Sequence, residues 1–550
     1  MRNINFLTTQ ILLKYKLGSI FRGGKFKIKI KNIFFILPDH RRYSGNFSTF
    51  LLPGLSPTHI GTLIIGEMLR KRGYYVKIFD EKIAPVLISQ IKGVDIVGIS
   101  ISTVSALRGY ELAYQIRKIL KIPVVIGGVH ATLNTEEALK WGDFVIRNEG
   151  EYTMLELVES LENGGNLDDI LGLSFHHNGE SYNNPQRPFI KDLDALPYPN
   201  WDLIENMHRY LNTPINYMVH FTQVTRGCPF NCSFCSVTPT FGKPLRYRSV
   251  ENVIGELKSM RKPTQKLLFF YDDNLVANKK YVKELLSAMI EEDCVPLGWH
   301  SQMRADASED DDLMDLMHLT KCRLATFGFE SINPQTLKYI KKGQTVDLIK
   351  SCVEKMHDKK ILINGFFVFG SDNDNTQIIH DTVKFAVDKK IDFAAFMPLT
   401  PFPGTPFFEE ITAQNRIFTK NWELYDVQHV VYYPELMTPL ELYMECLNAY
   451  KNFYHPRTWA RKKFNKFIFT FHGWSLRCQL LYRKELIANK TYLQFLKSLP
   501  PYDPDIKANI PEFRFEAERP TLHDIWSNRY FKILWRKLTR GKQGKGALPN

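Results

Sequence analysis

Apolar and polar positions along this 550-residue chain fall into two separate series of strand-like and helix-like segments. The first opens at Asn32 with "NIFFILP", a continuous apolar run of the kind that suits a strand buried on both faces. "HIGTLIIGEMLRKRGY" then repeats its apolar residues at helical spacing and reaches Gly73, a natural C-cap. "YVKIFD", "VDIVGISIS", "IPVVIGG" and "DFVIRNE" read as further strands, with a helix at "ALRGYELAYQIRKIL". Such alternation predicts an α/β domain over 31–165, built on a doubly wound parallel sheet. Residues 166–215 read as a connector, with two short strand-like pieces about Asn178-Gly179 and a proline-rich stretch.

The second series covers 216–408. "MVHFTQVT", "KLLFFYD", "PLGWHSQMR", "LATFGFES", "LINGFFVFG" and "DFAAFMPL" predict six strands with helices between them, a partial (β/α)6 barrel shorter than the eight-fold kind. From 409 to 550 the alternation breaks down into an aromatic-rich, mainly helical C-terminal region, expected to cover the barrel mouth.

Composition sharpens this picture at a few points. A hydrophobic content of 44% and a charged content of 24% place the chain among ordinary globular proteins. Three of its 8 cysteines are clustered, and Cys294, Cys322, Cys352, Cys446 and Cys478 are scattered singly. That distribution argues for a reducing, cytoplasmic setting over a disulfide scaffold. No apolar run reaches the roughly 18–20 residues of a membrane span, and the first 25 residues lack a signal peptide's apolar centre. Net charge is +14. Residues 1–30 form a basic extension without an acid, and the end, "NRYFKILWRKLTRGKQGKG", mixes aromatic and basic residues. Both ends suit peripheral contact with an anionic membrane or, equally, docked helices with solvated basic faces. No nucleic-acid recognition module is present, so no nucleic-acid partner is expected.

In doubly wound sheets ligands bind beyond the carboxyl ends of the strands. The residues there are Ser100, Ser102, Thr103 and Ser105 after the third strand, Gly127, Gly128 and His130 after the fourth, and Glu149, Gly150 and Glu151 after the fifth. Gly127-Gly128 admits close approach to the backbone, or simply makes a tight turn. There is no G-x-G-x-x-G and no P-loop, so the usual nucleotide cofactors are not indicated.

The most specific chemistry lies just after the first barrel strand, where "TRGCPFNCSFC" gathers Cys228, Cys232 and Cys235. A structural zinc site takes four ligands and disulfides take pairs. Three thiolates suit a cubane iron–sulfur cluster with one iron left open, or zinc with a distant fourth ligand such as Cys294 or His220.

This C-x3-C-x2-C loop, with Phe234 before its last cysteine and a (β/α)6-like series behind it, resembles the radical SAM superfamily. Over roughly residues 30–455 the chain is similar to the subgroup carrying a cobalamin-binding domain, through "VGISISTVSAL", "PVVIGGVHAT", "DFVIRNEGEYTMLELVESL" and "LTPFPGTPFFEE". The resemblance implies a 4Fe–4S cluster on the three cysteines, S-adenosylmethionine on the open iron, and bound cobalamin. It implies that Ser102, Thr103, Ser105, Gly127, Gly128, His130, Glu149 and Gly150 border the cobalamin, the glycines making room for its nucleotide tail. The cobalt-ligating D-x-H-x-x-G motif is absent, and Asp39-His40-Arg41 has the wrong spacing. Cobalt is therefore expected to lack a protein histidine, with His40 and His130 as loop residues.

For S-adenosylmethionine, Asp272, Asp273 and Asn274 stand where many members hold the methionine amino group with Gly-Gly-Glu; the bland alternative is an Asp-Asn turn. Gln302 and Arg304 end the next strand, Arg304 being suited to the methionine carboxylate. Glu330 is a candidate for ribose or substrate, or for a structural ion pair. No residue is assigned as catalytic beyond these cofactor contacts.

The implied reaction is methyl transfer to an unactivated carbon of a lipid or other secondary metabolite. Oxidative cyclisation or rearrangement uses the same cofactors, and a non-catalytic cobalamin sensor is a third reading. An electron donor such as flavodoxin or ferredoxin is implied as partner.

Overall fold

A computed structural model describes residues 27–39, 59–177, 180–207, 219–260, 264, 266–455 and 482–503. His40, Cys478, the first 26 residues and the basic end from 504 lie outside the described residues.

Asn32–Leu37 (β1), Tyr75–Asp80 (β2), Ile96–Ser100 (β3), Val124–Gly127 (β4), Phe144–Ile146 (β5), Leu173–His177 (β6) and Glu180–Asn183 (β7) form one sheet. Its order is β2-β1-β3-β4-β5-β6-β7. The first five strands pair in parallel, so chain order reverses between β1 and β3, the place where such sheets open a crevice for ligands. The hairpin β6–β7, expected in a connector, instead extends this sheet antiparallel to β5. Its apolar residues decide that: Leu173 and Phe175 are buried in the same core as Phe144 and Ile146.

Val219–Thr222 (β8), Leu267–Phe270 (β11), Gly298–Met303 (β12), Cys322–Glu330 (β13), Leu362–Phe369 (β14) and Phe393–Pro398 (β15) form a second, wholly parallel sheet in sequential order. Between its first two strands, Thr225–Arg226 (β9) and Arg246–Tyr247 (β10) make a short antiparallel ladder around the cysteine loop. The helices that return the chain start on side chains that satisfy free backbone amides, among them Ser249, Asp310, Thr345 and Asn375. Alternate residues of β13 and β14, such as Phe327, Phe329 and Phe367, are fully buried; Phe327 stacks on Phe329, which meets Phe367 at a tilt. Each such ring contributes about 1.5–3 kcal/mol by leaving water.

The described C-terminal residues close the free edge of the second sheet. Helix Pro439–Phe453 sets Tyr450 and Phe453 against Phe396, at centroid distances of 5.5 and 5.6 Å. The Tyr454 hydroxyl accepts from the Ala394 amide at 3.1 Å and donates to its carbonyl at 3.0 Å, capping an edge that would otherwise offer unpaired groups. Trp422 reaches back to the first unit, donating from Nε1 to Glu137 at 2.9 Å and meeting His130 edge-on. Among the described residues no helix is long and apolar enough to cross a membrane.

Candidate functional site: a cavity shared by both sheets

The carboxyl ends of the two sheets face a common cavity of about 420 Å3. One wall comes from β1, β3, β4 and the loop after β5, with Phe35, Ser100, Ser102, Gly127 and Gly128. The other comes from the barrel rim, with Gln223, Tyr271, Asp272, Asp273 and Gln302, and from Ser236 and Val237 beside the cysteine loop.

On the first wall, Gly128 has φ +96° and an added Cβ would lie 2.5 Å from the Ile101 carbonyl oxygen. The fold itself requires glycine there. Gly127 differs: an added Cβ would meet nothing nearer than 3.8 Å, so only what fills the cavity has a use for its missing side chain.

Ser102, Gly127, Gly128, Glu149 and Gly150 line the cavity as the sequence suggests, but Thr103, Ser105 and His130 lie behind the wall. Ser105 Oγ accepts from the Ser102 amide at 3.0 Å and so builds the turn. His130 is fully buried, with Nδ1 3.4 Å from Thr103 Oγ1 and Nε2 3.5 Å from Glu137.

Glu149 borders the cavity but its carboxylate is taken. It accepts from Arg226 Nη1 at 3.0 Å, Arg246 Nη1 at 2.7 Å and the Ile190 amide at 2.7 Å. Glu151 accepts from the other Arg226 nitrogen at 2.7 Å. Glu149, Glu151 and Arg226 are buried, and Arg246 is partly so. Removed from water, each charge depends on this pairing, which joins the first sheet to the ladder carrying the cysteines.

His59, read from sequence only as the start of a helix, is a cavity residue. Its Nδ1 lies 3.1 Å from Ser100 Oγ, and burial, aided by Lys82, pushes the imidazole down to about 4, so it is neutral at neutral pH. No motif spacing marks it; the fold brings it to Ser100 from 41 positions away.

The cysteine loop is fixed at both ends. Gly227 has φ +92° and an added Cβ would lie 2.4 Å from the Pro244 carbonyl oxygen. The Cys228 amide donates to the Gly242 carbonyl at 3.2 Å. Within the loop, Ser233 donates from its amide to the Ile340 carbonyl and accepts from the Phe407 amide, both at 3.0 Å. Cys228, Cys232 and Cys235 are half-buried free thiols. Burial raises Cys228 and pushes Cys235 up to about 12, so metal binding there would release protons.

Among the described residues no group of three or more His, Cys, Asp or Glu side chains, the loop cysteines included, is placed to hold a metal ion. The distant zinc ligands are placed elsewhere: Cys294 sits in the turn before β12, at the strands' amino ends, and His220 is 3.3 Å from Glu256. Three soft thiols on one loop, with no fourth protein ligand brought to them among the described residues, fit a cluster better than zinc.

Of the residues suggested for S-adenosylmethionine, Asp273 and Gln302 border the cavity, and their side chains have no hydrogen-bond partner among the described residues. The Asp273 side chain is exposed, open to whatever the cavity takes up. Asn274 is buried, and its Oδ1 has no partner among the described residues. The others are engaged by protein. Asp272 accepts from the Thr225 amide at 2.6 Å, Thr225 Oγ1 at 2.7 Å and the Val224 amide at 3.2 Å, holding the strand that leads into Cys228. Arg304 donates to the carbonyls of Lys342 and Gly343 at 2.7 and 3.1 Å, and lies 3.7 Å over the Phe230 ring of the cysteine loop. Glu330, at φ +63°, pairs with Lys342 at 2.7 Å. Sequence reasoning missed Arg226 and Arg246, whose partners only the fold identifies.

The Radical SAM superfamily model matches residues 222–386, and the B12 binding domain model matches residues 53–158. The chain is 33% identical over 445 residues to an uncharacterized methyltransferase of Pyrococcus horikoshii, covering 77% of this chain and 93% of that protein. It is 30% identical over 382 residues to the bacteriochlorophyllide d C-12(1)-methyltransferase of Chlorobaculum tepidum, covering 68% and 77% of the two. The solved structure of the cobalamin-dependent S-adenosylmethionine radical enzyme OxsB shares the fold, with a TM-score of 0.62 at 14% identity over 94% of this chain and 80% of that one. Sequence and site together thus define a radical enzyme built around two cofactor-binding units. The chain belongs to the radical SAM superfamily, in its cobalamin-dependent methyltransferase branch. Its cofactors are cobalamin, a 4Fe–4S cluster and S-adenosylmethionine.

Proposed function

We propose that the chain transfers a methyl group to an unactivated carbon of a lipid or other secondary metabolite within the cavity shared by the two sheets. The observation that carries this reading is the cavity itself: the first sheet's rim and the approach to the cysteine loop open on one volume. When bound, the cluster with S-adenosylmethionine supplies a carbon-centred radical, and cobalamin supplies the methyl group.

Cys228, Cys232 and Cys235 hold the cluster. Asp273, facing the cavity, attracts the methionine ammonium, and the Gln302 amide is a further polar contact. Ser102, Gly127, Gly128 and Gly150 leave room for cobalamin. Asp272 and Arg304 position the cysteine loop through Thr225 and Phe230. Ile60, Ile65 and Phe35 keep part of the wall apolar, which favours exclusion of water from a reactive radical. A net charge of +14 suits an acidic one-electron donor, flavodoxin or ferredoxin in type, and an anionic membrane surface where the substrate is a lipid.

The test is anaerobic reconstitution with iron, sulfide and cobalamin, followed by reductant and S-adenosylmethionine labelled on its methyl group. Wild type is expected to form 5′-deoxyadenosine and S-adenosylhomocysteine, and Cys232→Ala to form no deoxyadenosine. Deoxyadenosine without S-adenosylhomocysteine would turn the assignment to ring closure or rearrangement. No deoxyadenosine from protein with cluster and cobalamin bound would turn it to a sensor.

A further inference from the structure

We propose that His59 is the axial base of cobalt in the bound cobalamin, with its ring fixed for that role by Ser100. The inference rests on the cobalamin reading above and departs from the expectation that no protein histidine reaches the metal.

His59 lies where chain order reverses between β1 and β3, the position at which this type of sheet receives its ligand, and it lines the cavity there with Ser100 and Gly127. It is held at two points. Its carbonyl accepts from the Thr62 amide at 3.0 Å in the first turn of helix Ile60–Lys71, and its Nδ1 is 3.1 Å from Ser100 Oγ. With Nδ1 donating to the serine hydroxyl, the neutral tautomer leaves its lone pair on Nε2. Ligating histidines are oriented in this way, by a fixed partner on the nitrogen that does not bind metal. Nε2 has no partner among the described residues.

The serine is placed by design of the neighbouring turn. A Cβ on Gly128 would come within 3.1 Å of Ser100 Oγ, so glycine there leaves the hydroxyl free to meet the imidazole. The other polar groups nearby are spoken for or face elsewhere. Glu149 is bonded to two arginines, His130 is buried behind the wall, and Asp273 and Gln302 stand on the barrel side. Among the described residues lining the cavity, His59 is the only histidine.

The experiment is electron paramagnetic resonance of the full chain reconstituted with cobalamin and reduced to the Co(II) state. A single axial nitrogen splits each cobalt line into a triplet, and replacing it by nitrogen-15 gives a doublet. Protein grown on nitrogen-15 histidine is expected to show the doublet, because the nucleotide base of cobalamin keeps its natural nitrogen. His59→Gln is expected to bind cobalamin and lose the splitting, and His40→Gln to keep it. Absence of splitting, a triplet that persists in the labelled protein, or a doublet that survives in His59→Gln would each overturn the proposal. Should His59→Gln fail to fold, the labelled wild type still decides between a protein histidine and the nucleotide base, and His59→Asn replaces His59→Gln in assigning the histidine. A folded chain that takes up no cobalamin would remove the function itself, an outcome separate from uptake without nitrogen coupling.

Discussion

The loop after β5 serves two neighbouring regions built on opposite principles. In the joint, Glu149, Glu151 and Arg226 are buried, Arg246 is partly so, and every carboxylate meets a guanidinium. In the cavity beside it, Asp273, Gln302 and the Nε2 of His59 are polar groups without partners among the described residues. Carboxylates engaged in this way define a shape; polar groups left open to the cavity await something that is not protein. The contrast separates residues that hold the two cofactor-binding units together from residues available to cofactors, although Glu149, Glu151 and Arg226 border the same cavity as His59, Asp273 and Gln302.

The largest expected effect breaks the joint. Arg226→Gln would leave two buried carboxylates short of a partner, a change that costs about 3–5 kcal/mol in buried pairs. Gln302→Ala, on the cavity side, removes a side chain that bonds to nothing described and should alter stability by roughly 0.5 kcal/mol or less. Urea unfolding of the two apoproteins measures both. Comparable losses in the two variants would mean that the joint and the cavity wall are not energetically distinct.

Two adjacent aspartates carry the contrast into pH. Asp273 is exposed, whereas burial raises Asp272 to about 7 from an ordinary 3.8. The folded chain therefore binds the Asp272 proton more tightly than the unfolded chain. Its contribution to stability is full below about pH 4 and is lost as pH rises through 7. Asp272→Asn removes it, while the side-chain oxygen can still accept from Thr225. The stability of wild-type apoprotein relative to this variant should fall from pH 4 to pH 7. A difference that is flat or rises over that window would show the bonds from Thr225 and Val224 outweighing desolvation.

Elements were legible where their cause is local. "YVKIFD" became β2 without a residue's change, and "NIFFILP" contains β1, because apolar run length and helical period are properties of a few neighbouring residues. The hairpin β6–β7 was harder to place: its strands were visible, but the sheet they join was not. At the site the limit is sharper. Glu149 and Asp273 are both acids at strand ends, yet one is engaged and the other faces the cavity. What distinguishes them is Arg226 and Arg246, 77 and 97 positions from Glu149. Ser102 and Thr103 are adjacent, and only the turn bonded through Ser105 decides that Ser102 borders the cavity. Glycine spacing was readable; which glycine serves the fold and which serves a ligand was not.

That last distinction gives the smallest effect on stability and a clear reading of the cavity. Gly128→Ala must force alanine to φ +96°, a strain of about 1–3 kcal/mol, before its Cβ meets the Ile101 oxygen at 2.5 Å. Gly127→Ala meets only contacts of 3.8 Å and beyond, so the apoprotein should unfold within roughly 0.5 kcal/mol of wild type. If Gly127 serves a ligand, however, the added methyl enters space that cobalamin needs, and uptake followed by its visible absorption should weaken by about tenfold, or about 1.4 kcal/mol. Gly128→Ala would weaken uptake too, but through a damaged fold. Unchanged stability with weakened uptake in Gly127→Ala is thus the signature of a residue kept for the ligand. Undiminished uptake would mean that cobalamin passes this wall at a distance, leaving Gly127 as an ordinary turn.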